Sequence, residues 1–154
     1  MQIAALLLVA ALDVAPPPST RPAARWTVFR EGTSAIGYDA ARTPPRPPEG
    51  TVAIATLLWN APSSNAPFRW GEVIFRVNCT DRTMGMVEGS RHDAAGRLLG
   101  RDYAGPNFRA APAPAAGSAA IIYRAVCGGA QPRPLFTAPS MAAAVARLNA
   151  QGLP

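Results

Sequence analysis

Proline and glycine interrupt this chain so often that no long regular element can run through it. The 154 residues include 17 prolines and 13 glycines, and both residue types break helices and central strands. This excludes a long helical bundle or a coiled coil. Because 49% of the residues are apolar and 16% are charged, the chain is also too apolar for wholesale disorder. We expect one domain of short elements.

The N-terminus has the pattern of a secretory signal peptide. Residues 3–12 are an unbroken apolar run, and Val9-Ala10-Ala11 supply the small residues that precede a cleavage site. We predict a signal peptide over residues 1–11 and an extended Pro/Ala-rich leader over residues 12–24. The alternative is a buried N-terminal strand or helix, which the prolines at 16–18 disfavour. No apolar run reaches the ~20 residues that a membrane helix needs.

The cysteines agree with export. Cys79 and Cys127 are the two cysteines of the chain, and an even number in an exported protein predicts one disulfide. Two separate buried thiols are the alternative. We predict no metal site, because two cysteines and one histidine do not make a four-ligand set, and no cofactor. No cysteine lies near the cleavage point, so we expect a periplasmic or secreted protein without a lipid anchor.

A two-residue alternation predicts an antiparallel sheet. Every second residue from Val73 to Cys79 is apolar, which indicates a strand with one face on a core. Residues 51–59 are apolar on both faces, as in a central strand. Gly32 suits a hairpin turn, and residues 93–96 suit a type I turn with a following bulge. The predicted strands are 25–30, 35–39, 51–59, 72–79, 82–89 and 97–103.

Helical periodicity follows. In residues 118–127, Ile121 and Ile122 each have an apolar partner four positions later. Ser118 can cap this helix and Gly128 can end it, although one more strand is the alternative. Residues 130–154 read as a Pro-rich linker and a short alanine-rich helix over 140–151. This weakly amphipathic tail is expected to add little to the core.

The sequence contains few signs of catalysis. The nucleophile elbow, the P-loop and the zinc-protease motif are absent. Ser90, His92 and Asp93 are close in sequence, but on a strand Asp93 points away from the other two, so this segment cannot assemble a triad. A distant acid could still complete one. We expect His92 to be an exposed residue beside a turn and the protein not to be an enzyme.

The charge is basic, at +6, and all 15 basic residues are arginines. They are scattered, without a basic run or an RNA-binding aromatic motif, so we expect no nucleic-acid partner. Attraction to an acidic envelope or matrix surface is more plausible, and it would weaken with salt.

One loop is a candidate binding site. Residues 59–71 place Phe68, Arg69 and Trp70 together at the end of a loop, and Trp and Arg are frequent at binding hot spots. The alternative is that Phe68 and Trp70 begin the next strand and are buried against the helix.

Six segments follow one another within about residues 25–129: Trp26-Thr27-Val28, Tyr38-Asp39, Val77-Asn78-Cys79, Thr80-Asp81-Arg82-Thr83, Asp93-Ala94-Ala95-Gly96 and residues 118–127. Their order resembles the surface-adhesin protein E family. The resemblance implies a small antiparallel sheet tied to a C-terminal helix by the two cysteines, in an exported adhesin that binds host matrix and serum proteins. The chain departs from that family because it lacks the lipid-anchor cysteine and extends past Gly129. No ligand-binding residue carries over.

These observations predict an α+β fold in which a single antiparallel sheet of about five or six strands packs against a C-terminal helix. The predicted function is a non-catalytic, exported, adhesin-like binding protein whose partner is a protein. The alternative is a periplasmic carrier of a small molecule or peptide, which an apolar pocket between helix and sheet would favour. A cluster of titratable groups in one cleft would instead favour an enzyme.

Overall fold

The computed structural model describes residues 25–41, 51–105 and 108–153. The signal peptide and leader predicted over residues 1–24 lie outside the described residues. The described chain forms an antiparallel sheet and two helices. The strands are β1 (Trp26–Glu31), β2 (Ser34–Asp39), β3 (Thr51–Asn60), β4 (Trp70–Asn78), β5 (Thr83–His92), β6 (Leu98–Tyr103), β7 (Ala111–Pro112) and β8 (Phe136–Ala138). The helices are α1 (Ser118–Cys127) and α2 (Met141–Gln151).

The sheet is a meander that begins next to its own C-terminal strand. Its order is β6-β5-β4-β3-β2-β1-β8, and β7 pairs with β5 beyond the end of β6. The α+β class and the central place of β3 are confirmed. The predicted number of strands was too low because β7 and β8 have two and three residues, which is too short for an alternating pattern.

The two helices lie on opposite faces of the sheet. Side chains of successive strand residues alternate between the faces, so β1 sends Val28 to one face and Phe29 to the other. On the first face Val28, Leu57 and Trp59 form a core with α2. On the second face Phe29, Ile36 and Val77 form a core with α1. The sheet is therefore the middle of three layers, and we name its faces after the helix that each one carries.

Helix α1 has the apolar stripe expected from its sequence. Ile121, Ile122 and Val126 are buried, and the helix ends at Gly128, whose φ of 79° is in the region that favours glycine. The start differs from the prediction. Ser118 does not cap the helix; its hydroxyl donates to the carboxylate of Glu31 at the end of β1. This places a negative charge beside the helix N-terminus, where the helix dipole stabilises it.

The predicted disulfide is confirmed. Cys79 directly follows β4, Cys127 is the last residue of α1, and their Cα atoms are 5.3 Å apart. The bond therefore ties the end of α1 to the sheet beneath it.

Replacement of both cysteines by alanine should strongly destabilise the domain. The bond joins residues 48 positions apart, and in the chain-entropy model a loop of this length contributes ~4 kcal/mol to stability. Denaturant unfolding of the double variant measures the loss. Two free thiols in the mass spectrum of the non-reduced protein, or an unchanged unfolding midpoint, would contradict this prediction.

The segment after Ala130 is part of the domain, and the prediction that it adds little to the core is wrong. β8 pairs with β1, and Val145 and Leu148 of α2 are buried. The indole Nε1 of Trp59 donates to Asn149 Oδ1 at 2.8 Å. The alanines of α2 hid this packing because they carry little amphipathic signal, yet their small size lets the helix approach the sheet closely.

Helix α2 has a hydrogen-bonded cap at each end. The Ser140 hydroxyl accepts from the Ala143 N–H at 3.1 Å, which caps the start of the helix. At the other end Gly152, with φ of 68°, donates its N–H to the carbonyl of Leu148. The segment before α2 is not a free linker, because Leu135 donates its N–H to the Val28 carbonyl of β1.

Leu148→Ala should destabilise the protein by ~2–5 kcal/mol, the usual cost of removing a buried leucine side chain. The matched control is Leu99→Ala, since Leu99 is 53% exposed and its loss should change the stability little. Denaturant unfolding compares the two variants. A chain truncated after Ala130 should lose cooperative unfolding; retention of the full-length midpoint would contradict the packing of α2 on this core.

Candidate binding groove

A groove lies where the α2 face of the sheet extends past the helix. Its floor comes from β4, β5 and β6, and Met141 of α2 borders it. It encloses about 360 Å³, which is within the ~300–1,000 Å³ range of ligand pockets. The lining side chains that we discuss are Trp70, Glu72, Ile74, Glu88, Ser90, His92, Leu98 and Arg101.

Strand register arranges the floor of the groove in three rows. Residues directly opposite each other in an antiparallel sheet share a face. Each row therefore runs across β4, β5 and β6 in turn. The rows are Trp70–His92–Leu98, Glu72–Ser90–Arg101 and Ile74–Glu88–Tyr103. Two register shifts, between Ile74 and Phe75 and between Arg91 and His92, decide which β5 and β6 side chains face the groove.

The first row contains a stacked aromatic pair. The rings of Trp70 and His92 are parallel to within 1°, with centroids 3.8 Å apart. Both side chains are half-buried. The pair forms a rigid, flat wall at one end of the groove.

Hydrogen bonds hold the His92 ring in place. Its Nδ1 is 3.2 Å from the Gly96 carbonyl oxygen, which can only accept, so Nδ1 carries the proton and donates. Nε2 is 3.1 Å from the Ser90 hydroxyl, which can either donate or accept. The ring is thus fixed between β5 and the following turn.

The turn that presents Gly96 is held by Asp93. The Asp93 carboxylate accepts from the Arg97 N–H at 2.9 Å and from Arg97 Nε at 2.7 Å. The guanidinium hydrogen bond holds the pKa of the Asp93 carboxyl below its usual value. Gly96 has φ of 82°, as the predicted turn requires.

These contacts also keep Asp93 away from His92. Its carboxylate faces Arg97, and a backbone carbonyl takes the place that a carboxylate occupies in a catalytic triad. Ser90, His92 and Asp93 therefore do not form a triad in this structure. The wider prediction that the protein is not an enzyme stays a prediction.

The second and third rows hold charged groups without partners. Among the described residues, the carboxylates of Glu72 and Glu88 and the guanidinium of Arg101 form no salt bridge. Glu72 is half-buried, and Glu88 and Arg101 are exposed. Four titratable groups therefore meet in this groove: Glu72, Glu88, His92 and Arg101. Two of them are carboxylates that could pair with a cation.

The structure places Trp70 apart from the other two candidate loop residues. Trp70 begins β4 and faces the groove. Phe68 lies on the opposite side of the sheet, in a small apolar pocket with Met86. Arg69 lies over the Trp59 ring, 5.9 Å from its centroid, and donates to the Asn60 carbonyl at 3.0 Å. Phe68 and Arg69 line one small surface pocket, but Trp70 does not, so the three side chains do not form one docking surface.

Sequence reasoning missed Glu88, Leu98, Arg101 and Met141 as site residues. Strict alternation would place Leu98 and Arg101 on opposite faces of β6. The register shift beside His92 brings Leu98 to the groove, and the one beside Ile74 places Glu88 on the face opposite Met86. No local sequence signal marks either shift. Met141 was assigned to the tail.

Other arginines are engaged locally. Arg76 lies 5.5 Å from the Phe108 ring centroid and Arg147 lies 4.2 Å from that of Phe136. Arg91 Nε is 3.2 Å from the Asp102 carboxylate. These arginines are spread over several parts of the described surface.

No family model, curated protein or solved structure matches this chain. In the ranges that the structure describes, no group of three or more His, Cys, Asp or Glu residues is placed to hold a metal ion. No helix within the same ranges has the length and hydropathy needed to cross a membrane.

Trp70→Ala should destabilise the protein, but less than Trp59→Ala. Trp59 is 1% exposed and should cost ~3–5 kcal/mol as a core tryptophan. Trp70 is half-buried and loses mainly its stack, so about 1–2 kcal/mol is expected. Unfolding of both variants in denaturant tests the order. If the two variants lose the same stability, Trp70 is a core residue. If Trp70→Ala loses none, Trp70 is not a structural wall of the groove.

Proposed function

We propose that this protein is a non-catalytic, exported binding protein whose groove on the α2 face holds a cationic side chain of a partner protein. The observation that carries this proposal is the placement of the unpartnered Glu72 and Glu88 carboxylates on the groove floor with the half-buried Trp70 ring. A guanidinium or ammonium group gains from both kinds of neighbour, by ion pairing and by cation–π contact.

The mixed lining supports a partner side chain over a free ion. Ile74, Leu98 and Met141 add apolar surface to the groove, and the stem of an arginine or lysine can cover such surface while its head remains polar. The disulfide supports an oxidising compartment. The resemblance to surface-adhesin protein E, whose characterised members bind host proteins, supports the same class of function.

A second candidate is a carrier of a small molecule or peptide. It is favoured by the position of the groove between the sheet and the first turn of α2, where Met141 closes one side. A carrier should bind a free small molecule or short peptide as tightly as it binds the same group within a longer chain. The two candidates therefore differ in how affinity depends on ligand length.

The test compares immobilised octapeptides that contain one arginine with the same peptides containing citrulline, which keeps the shape and removes the charge. The protein should bind the arginine peptides more tightly. Glu72→Gln and Glu88→Gln should each reduce that preference, by about fivefold for a partly exposed ion pair worth up to ~1 kcal/mol. Asp81→Asn is the matched control, because Asp81 is exposed and lies outside the groove.

Three results separate the possibilities. Loss of the preference in the two glutamate variants, but not in Asp81→Asn, supports the groove. Equal binding of arginine and citrulline peptides overturns the proposal. Binding of free arginine or an arginine dipeptide as tightly as the octapeptides supports the carrier.

A further inference from the structure

The exposed apolar side chains are concentrated at one edge of the sheet. Among the described residues, the large hydrophobic side chains that are exposed are Met86, Leu98, Leu99 and Tyr103, at 42%, 49%, 53% and 74%. Three of them belong to β6, and Met86 lies on the neighbouring β5. Leu98 and Tyr103 lie on the α2 face, whereas Met86 lies on the opposite face of the sheet. Exposed apolar side chains grouped at one edge are typical of an interaction site.

The same edge also has main-chain N–H and C=O groups that point away from the sheet. β6 is the last strand of the sheet on its side. Ala104, directly after β6, donates its N–H inward to the Val87 carbonyl at 2.8 Å. Because the main-chain groups of successive strand residues alternate in direction, those of Tyr103 and Arg101 point outward. An extended chain can pair with them.

Charged residues often protect such edges from pairing, but β6 is only partly protected. The Asp102 carboxylate is held by Arg91 within the sheet, 3.2 Å from its Nε. Arg101 is the other charged residue of β6, and it faces the groove. The single unpaired charge of Arg101 therefore favours a partner strand with an acidic residue opposite it, and it does not prevent pairing.

We propose that the partner segment adds to β6 as a further antiparallel strand, next to the groove. This inference rests on the proposed function, because the segment supplies the cationic side chain. A second copy of the chain is a poorer occupant, since a charge of +6 on each copy opposes self-association.

The side-chain rows define the chemistry of that segment. Its groove-facing residue opposite Tyr103 continues the row that contains Glu88, so a basic side chain fits there. The residue opposite Arg101 should be acidic, and the residue two positions further along, beside the exposed Leu98 and Leu99, should be apolar. Read antiparallel to β6, the segment is basic, acidic and apolar at alternate positions.

The probe is the synthetic peptide acetyl-Thr-Arg-Thr-Glu-Thr-Leu-Thr-amide, in which Arg and Glu are opposite Tyr103 and Arg101 and Leu lies beside the exposed Leu98 and Leu99. The control exchanges Arg and Glu within the same composition. Titration calorimetry on the full chain should give about tenfold weaker binding for the control, because it places like charges together. The variant Arg101→Glu should lose most of this preference, because each peptide then meets one like and one opposite charge. A merely structural role of Arg101 would weaken both peptides and leave the preference unchanged.

N-methylation tests the main-chain pairing. A methyl group on the peptide N of Arg or Glu blocks a hydrogen bond to the outward groups of β6 and should weaken binding about tenfold. The same group on the third or fifth residue, both threonines, points away from β6 and should have less than about a twofold effect.

Each outcome has one meaning. Alternating sensitivity to N-methylation supports strand addition. Uniform sensitivity or none, with the arginine–citrulline preference of the octapeptides retained, overturns strand addition and leaves the groove function standing. Loss of that octapeptide preference overturns the function itself. Sedimentation showing a peptide-independent dimer that Arg101→Glu disrupts would assign the edge to a second copy and overturn the proposal.

Discussion

Within the described residues, each face of this sheet is covered by a single short helix, and that limited cover determines where a binding surface can exist. Seven strands lie side by side, which makes the sheet about 30 Å wide at ~4.8 Å per strand. The helices have ten and eleven residues and diameters of ~10–12 Å. Neither can cover a whole face. The uncovered part of the α2 face, on β4 to β6, is the floor of the groove.

Trp59 connects the covered and uncovered parts of that face. It lies on the central strand β3, opposite Trp70, which is a wall of the groove. Its own ring is buried against α2, and its N–H is satisfied by Asn149 of that helix. A helix that caps the core thus also sets the border of the groove, because Met141 lies in its first turn. The binding surface depends on the C-terminal segment even though most of its side chains come from the sheet.

Local patterns in the sequence predicted the elements but not how they meet. The alternation from Val73, the turn ending at Gly96 and the stripe of Ile121 and Ile122 are all short-range signals, and each led to the observed element. The site depends on register, which couples residues far apart in sequence. Glu88 faces the groove because of a shift beside Ile74, and the pairing energy that decides it involves both strands at once. The packing of α2 was missed for a related reason, since the partner of its small residues is the distant Trp59.

The pairing of β8 with β1 has a consequence for the order of folding. The strands β1 to β6 are consecutive neighbours, so their pairing needs only sequence-local contacts. By contrast, Trp26 at the start of the described chain pairs with Ala138 near its end. Contacts of such long sequence separation form slowly, because the entropy of closing the chain must be lost first. The apolar face that carries Val28 and Trp59 therefore stays open until the last residues of the chain are available. In a chain that emerges from its N-terminus first, strands β1 to β6 can pair before α2 has been made. The α2 face of the sheet is then shielded from water only once α2 has docked.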